Sequence, residues 1–144
     1  MSIPIKEVME ERWDWCNQVW SEAERGAGNF VSEQASAISE DVQIAFCSGA
    51  WISVIVLSVA VVDAQLREIE VPDFDGNTKQ LIEDAKANPE LQDLRKLRNK
   101  LVHVDSSDPV VTLDGSEKYR HELESEARKA FKLMAETFFL TPLV

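Results

Sequence analysis

Glycine and proline are scarce in this chain, five of each in 144 residues, which excludes a collagen-like or linker-dominated polypeptide. Cysteine is scarcer still. Cys16 and Cys47 stand apart in apolar helical patterns, with no Cys-x-x-Cys pair and no histidine close by, so no metal site is expected. Both read as buried free thiols of a reducing compartment. No glycine-rich phosphate loop and no nucleophile elbow occurs. Basic residues are outnumbered 15 to 26 by acidic ones, a net charge of −11, which argues against a protein that coats nucleic acid through bulk charge. The stretch from Met1 to Trp15 carries Glu7, Glu10, Glu11 and Asp14 and lacks the apolar core of a signal peptide, so the expected location is cytoplasmic.

What is present is the make-up of an ordinary globule. A hydrophobic content of 44% with 28% charged residues excludes global disorder, and the length suits a single domain spanning 1–144. From Lys6 to Arg25 the residues Met9, Trp13, Cys16 and Trp20 recur at helical spacing, widened by Val8, Trp15 and Val19, with Gly26 and Gly28 as the stop. Asn29 to Ser39 reads as a Ser-containing connection, with room for a helical turn of its own. One long helix is then expected from Ser39, as N-cap, to about Ile69.

Within that segment no charged residue occurs from Val42 to Val62, long enough to raise a membrane reading. Ser48, Gly49, Ser53 and Ser58 dilute the run, its flanks are Asp41 and Asp63, and no basic cluster sets an orientation. The expectation is therefore a helix buried on most sides in a bundle, with no membrane partner. Val71 to Asn77 forms a turn cluster, and Thr78 caps a short helix through Lys86. Asn88-Pro89 restarts a fourth helix that runs through Leu91, Leu94, Leu97 and Leu101 to about His103. Asp105 to Gly115 is a loop in which Val110-Val111-Thr112 is extended. The last helix covers about Ser116 to Phe139, burying Tyr119, Leu123, Ala127, Ala130, Phe131, Met134 and Phe138. The fold class is all-α, an up-and-down helical bundle of four long helices plus one short helix.

Most polar residues fit solvated helix faces. Glu122, Glu124 and Glu126 form an acidic face and His121 a surface histidine, while Trp13, Trp15, Trp20 and Trp51 belong to the core or an interface. One stretch stands out. From Arg95 to Lys100, four of the fifteen basic residues fall within six positions. On a helix, Leu94, Leu97, Leu101 and Val104 share one side, and Arg95, Asn99 and His103 follow at steps of four on the other. Arg98 sits on the edge of the polar face, about 140° from His103. A plain electrostatic reading suits it, since cations favour a helix C-terminus and can pair with neighbouring acids.

The segment Leu94-Arg95-Lys96-Leu97-Arg98-Asn99-Lys100-Leu101-Val102-His103 also resembles the signature of the HEPN superfamily, an arginine, often followed by asparagine, with a histidine several residues on. The helix order read above matches those all-α domains, and Asp63 resembles an acidic residue near the end of their second helix. The resemblance implies a metal-independent endoribonuclease acting as a homodimer, in a toxin–antitoxin or phage-defence setting. Arg98, His103 and Asn99 would be catalytic, Arg95, Lys96 and Lys100 would bind substrate RNA, and Asp63 would be a supporting acid. No cofactor is implied. An imidazole can take a proton from a 2′-hydroxyl, and a guanidinium can hold the scissile phosphate bidentately. The family's non-catalytic members imply an alternative, an interaction module for a protein partner or a nucleotide. A protein antitoxin or a nucleotidyltransferase is the kind of partner implied. The tyrosine that some toxin members carry two residues after the histidine is replaced by Asp105, which could pair with His103.

Overall fold

The computed structural model describes residues 2–25, 28–107, 109 and 116–141, and among these the regular structure is helical. α1 spans Lys6–Glu24, α2 Glu33–Ser48, α3 Trp51–Gln65, α4 Thr78–Asp84, α5 Glu90–Val102 and α6 Ser116–Thr137. The all-α expectation holds. The count does not: five long helices and one short one replace four and one, because the single helix expected over Ser39–Ile69 is two.

The break lies at Gly49, whose φ of +76° is a left-handed conformation that side chains with a Cβ rarely adopt. Its backbone N–H caps the end of α2 on Phe46 O at 3.1 Å, and Ala50 starts α3. Two arginines from distant helices clamp this turn. Arg12 of α1 donates to Cys47 O at 3.2 Å and lies over the Trp51 ring, while Arg120 of α6 donates to Gly49 O at 3.0 Å. The true N-cap of α2 is Ser32, whose Oγ accepts from Ala35 N at 3.1 Å, and Ser39 instead turns its hydroxyl back onto Ser36 O.

α2 and α3 form an antiparallel hairpin, since the start of one meets the end of the other. The fully buried Gln65 accepts from Ser32 N at 2.9 Å and donates to Phe30 O at 3.0 Å. α3 is the centre of the molecule, packed against α2, α5 and α6 and buried along Trp51, Val54, Ile55, Ser58, Val59, Val61 and Val62. The uncharged run therefore belongs to a core hairpin. Among the described residues no helix is long and apolar enough to cross a membrane.

α1 runs antiparallel to α2, with Trp20 donating to Gln43 Oε1 and Gln43 donating in turn to Asn17 Oδ1. α3 and α6 are parallel: Arg120 meets Gly49 at one end, and Thr141 donates to Glu70 at the other. An aromatic seam joins α1, α2 and α6. Trp15 stacks on Phe46 at 4.9 Å and 10°, and Phe131 meets Trp15, Trp20 and Phe46. Arg128 covers Trp15 at 4.7 Å and Phe46 at 5.2 Å, so a cation closes the seam. The stripe of α1 is rotated from the expected one: Cys16 and Val19 are buried, whereas Trp13 is 47% exposed. Both cysteines are buried free thiols, and burial, with the nearby Cys47, pushes Cys16 up to about 12.

After α3 a single π-helical turn, Leu66–Glu70, leads into the Val71–Asn77 turn. Asn77 rather than Thr78 caps α4, in a reciprocal capping box with Gln80. Asn88 Oδ1 accepts from Glu90 N at 3.0 Å across Pro89, so it serves the helix start, although α5 begins at Glu90, one residue after the expected Pro89. α5 buries Leu91 and Leu94, with Leu97 and Leu101 half-buried against the core. Val104 leaves that face because the helix stops at Val102, and it is 99% exposed. On α6 the expected buried residues Leu123, Ala127, Ala130, Phe131, Met134 and Phe138 line the core. The extended segment expected at Val110–Thr112 lies outside the described residues.

Candidate functional site

The basic helix α5 gets its orientation from its leucines. With Leu91 and Leu94 turned to the core, Lys96 and Lys100 are exposed, and Arg95, Arg98 and Asn99 are half-buried. Lys96 and Lys100 make no ion pair among the described residues, and Arg95 donates to Gln92 Oε1 at 3.0 Å. The cluster thus stays electropositive on an acidic molecule.

Arg98 reaches a cleft of about 630 Å³ between α2, the end of α3 and the start of α4. The cleft has an apolar wall of Ile38, Val59, Ala60 and Ala64 and a polar rim that includes Gln34, Asp63, Asn77 and Arg98. Arg98 Nε donates to Asn99 Oδ1 at 2.8 Å, which fixes the plane of the guanidinium and leaves its two terminal nitrogens without protein partners among the described residues. Asn99 is therefore a partner of Arg98.

Asp63 is held more firmly than a freely exchanging acid would be. Arg67, one turn on, binds it in a fork at 3.1 and 3.0 Å, and Thr78 Oγ1 donates to Oδ2 at 2.8 Å. Arg67 also donates to Phe74 O and Gly76 O, so the carboxylate ties α3 to the following turn and to α4. Burial pushes the Asp63 carboxyl up. The hydrogen bonds from Arg67 and Thr78 and the charges of Arg67 and Arg98 outweigh it and hold the group below its ordinary value. Asp63 thus stays an anion facing Arg98 across the cleft. Sequence reasoning missed Arg67 and Thr78, although the spacing of four from Asp63 to Arg67 is itself an ion-pair signal on a helix.

His103 follows the last residue of α5. Its backbone N–H closes the helix on Asn99 O at 3.0 Å, while its imidazole is exposed and lies outside the cleft lining. Asp105, the expected partner of that ring, accepts from Ser107 N and Oγ. Arg98 and Asp63 are thus brought together in one chain, and His103 is displaced from them toward the helix end. Its neighbours Val102 and Val104 are 46% and 99% exposed. His121 and Glu122 are exposed, Glu124 and Glu126 pair with Arg128 and Lys129, and no group of residues among those described could hold a metal ion. Comparison with protein-family models, with curated proteins and with solved structures finds no match to this chain.

Proposed function

We propose that this chain is a metal-independent endoribonuclease of the HEPN type, cleaving RNA at a composite Arg/His site where two copies meet. The observation that carries the reading is the division of the motif. Among the described residues Arg98 is bonded to Asn99 and its terminal nitrogens have no protein partner, while His103 stands outside the cleft between two exposed valines. A second copy packed on Val102 and Val104 covers apolar surface and carries each His103 toward the other chain's Arg98. In that arrangement His103 takes the proton of a ribose 2′-hydroxyl. The 2′-oxygen attacks the adjacent phosphorus, the bond from phosphorus to the 5′-oxygen breaks, that oxygen takes up a proton from water, and a 2′,3′-cyclic phosphate remains. Arg98 holds the non-bridging oxygens as charge builds on them. Lys96 and Lys100 from both copies attract the flanking phosphates in a salt-dependent way.

The test is cleavage of single-stranded RNA in EDTA by wild type, Arg98→Ala and His103→Ala, each with a native melting temperature. Wild type alone should cleave. Mixing the two inactive variants should restore about a quarter of the wild-type rate, because half of the dimers regain one intact site. No restoration from dimers that exchange subunits would refute the composite site. A second reading, a non-catalytic interaction module for a protein or nucleotide, is favoured by one observation. Among the described residues no hydrogen bond or ion pair joins a carboxylate to the exposed His103 ring. Wild-type dimers that bind RNA without cutting it would establish that reading.

A further inference from the structure

On the flank away from the Arg98 cleft, α1 and α2 leave an apolar groove open between them. It has a volume of about 400 Å³ and is lined by Met9, Trp13 and Cys47, with Lys6, Glu10 and Asp14 at its edge. Met9 and Trp13 lie four residues apart on α1, Ile5 precedes Met9 by four at the helix N-cap, and Ile44 lies three residues before Cys47 on α2. Ile5, Trp13 and Ile44 are 65%, 47% and 58% exposed, so this stripe belongs to neither the core nor the proposed ribonuclease site.

Glu10 and Asp14, both exposed, line the groove beside Lys6, and Glu7, Glu40 and Asp41 add exposed carboxylates to the same two helices. Of the two cations in this part of α1, Lys6 pairs with Glu10, and Arg12 is taken up by Cys47 O and the Trp51 ring. A second copy of this face would bring acid against acid, which disfavours self-association through it. An anionic lipid surface is disfavoured for the same reason. An apolar channel between two helices, with anchors at helical spacing, matches the apolar face of a third helix.

We propose that the α1–α2 groove docks an amphipathic helix of a partner protein, one whose apolar face covers Trp13, Met9 and Ile44 and whose flanks are rich in Lys and Arg. Trp13 is the main anchor, being the large aromatic of the stripe and part of the groove lining. Glu10 and Asp14 set the charge preference and speed the encounter. The inference is independent of the ribonuclease reading, since it uses none of the α5 residues.

The test uses the full chain and a synthetic Lys/Leu amphipathic peptide of about five helical turns, titrated calorimetrically. A peptide with the same apolar face and Glu in place of Lys is the comparison. The Lys peptide should bind at one site per chain and the Glu peptide should not. Trp13→Glu and Ile44→Glu, both at exposed positions and expected to melt as wild type does, should each weaken binding by about tenfold or more. Charge reversal at Glu83 and Asp84, exposed on α4, should change it by less than about twofold. No binding to wild type would overturn the proposal outright, and equal weakening by the α4 pair would overturn it in favour of unspecific attraction to an acidic protein. A concentration-dependent dimer that Trp13→Glu abolishes would overturn it in favour of a second copy.

Discussion

Around Phe46, side chains from α1, α2 and α6 are held by rings on several sides and by the Arg128 cation, whereas at the end of α5 cationic side chains and an imidazole face outward with few protein partners. The first region gains stability from desolvated contact and has nothing left to offer a ligand. The second is oriented by its leucine face, with Arg98 bonded to Asn99 and Arg95 to Gln92, and its charges remain available. Asp63 lies between these extremes: an anion near the functional candidate, yet tied into the architecture by Arg67 and Thr78. Nearness to a motif therefore does not assign a residue to its chemistry.

Substitutions can break this contrast in a graded way. Phe131→Ala should have the largest effect on folding, about 3–5 kcal/mol, because it empties the point where Trp15, Trp20 and Phe46 converge. Urea unfolding measures it, and a loss below 1 kcal/mol, on the order of a surface change, would show that the seam is not the stabilising region. Cys16 gives a second readout there. With its thiol pushed up to about 12, it should resist alkylation near neutral pH in the native chain and react once the seam opens.

Asp63→Asn should cost about 1–3 kcal/mol, since it removes the charge that Arg67 and Thr78 bind. The pH dependence sharpens this case. The folded-state pKa of Asp63 lies below its ordinary 3.8, so its contribution is complete above that value and is lost as pH falls through the lowered folded value. Acid titrations of stability should therefore lose part of their slope in Asp63→Asn, and an unchanged slope would place the acid sensitivity elsewhere. Gly49→Ala should cost about 1 kcal/mol, read as a lowered Tm, through the left-handed φ and the approach of Arg12 Nη1.

His103→Ala should be the mildest for folding, within about 0.5 kcal/mol, while RNA cleavage falls by roughly 100-fold or more. A variant that loses stability and activity together would erase the distinction between the two regions.

Much of the bundle was legible because local signals agreed with packing. Asn88-Pro89 marks the start of α5, and its leucine spacing puts the basic residues on the outer face. The hairpin was not legible in the same way. An uninterrupted run without charge reads as one element, and only Gly49 interrupts it. What makes Gly49 a turn is supplied by Arg12 and Arg120, which reach it from other helices. Trp13 misled for a related reason: helical spacing gives the width of an apolar stripe, but the neighbouring helix decides which part of it is covered. At the site, the Arg98–His103 motif was readable, whereas the commitment of Asn99 to Arg98 and of Asp63 to Thr78 depends on side-chain directions that spacing does not carry.

Gln65 has a consequence that concerns uniqueness more than strength. Its fully buried side-chain amide presents a donor to Phe30 O and an acceptor to the buried Ser32 N. Valines and isoleucines on facing helices tolerate sliding, because one apolar contact resembles the next. The amide does not. A slip of α3 by one turn along α2 would strand both ends of Gln65 and both backbone groups it serves, at a cost of about 1–3 kcal/mol for each buried group left unpaired. A single polar side chain thereby gives an otherwise interchangeable apolar hairpin one alignment, and with it one fixed placement of the Asp63 cleft two residues away.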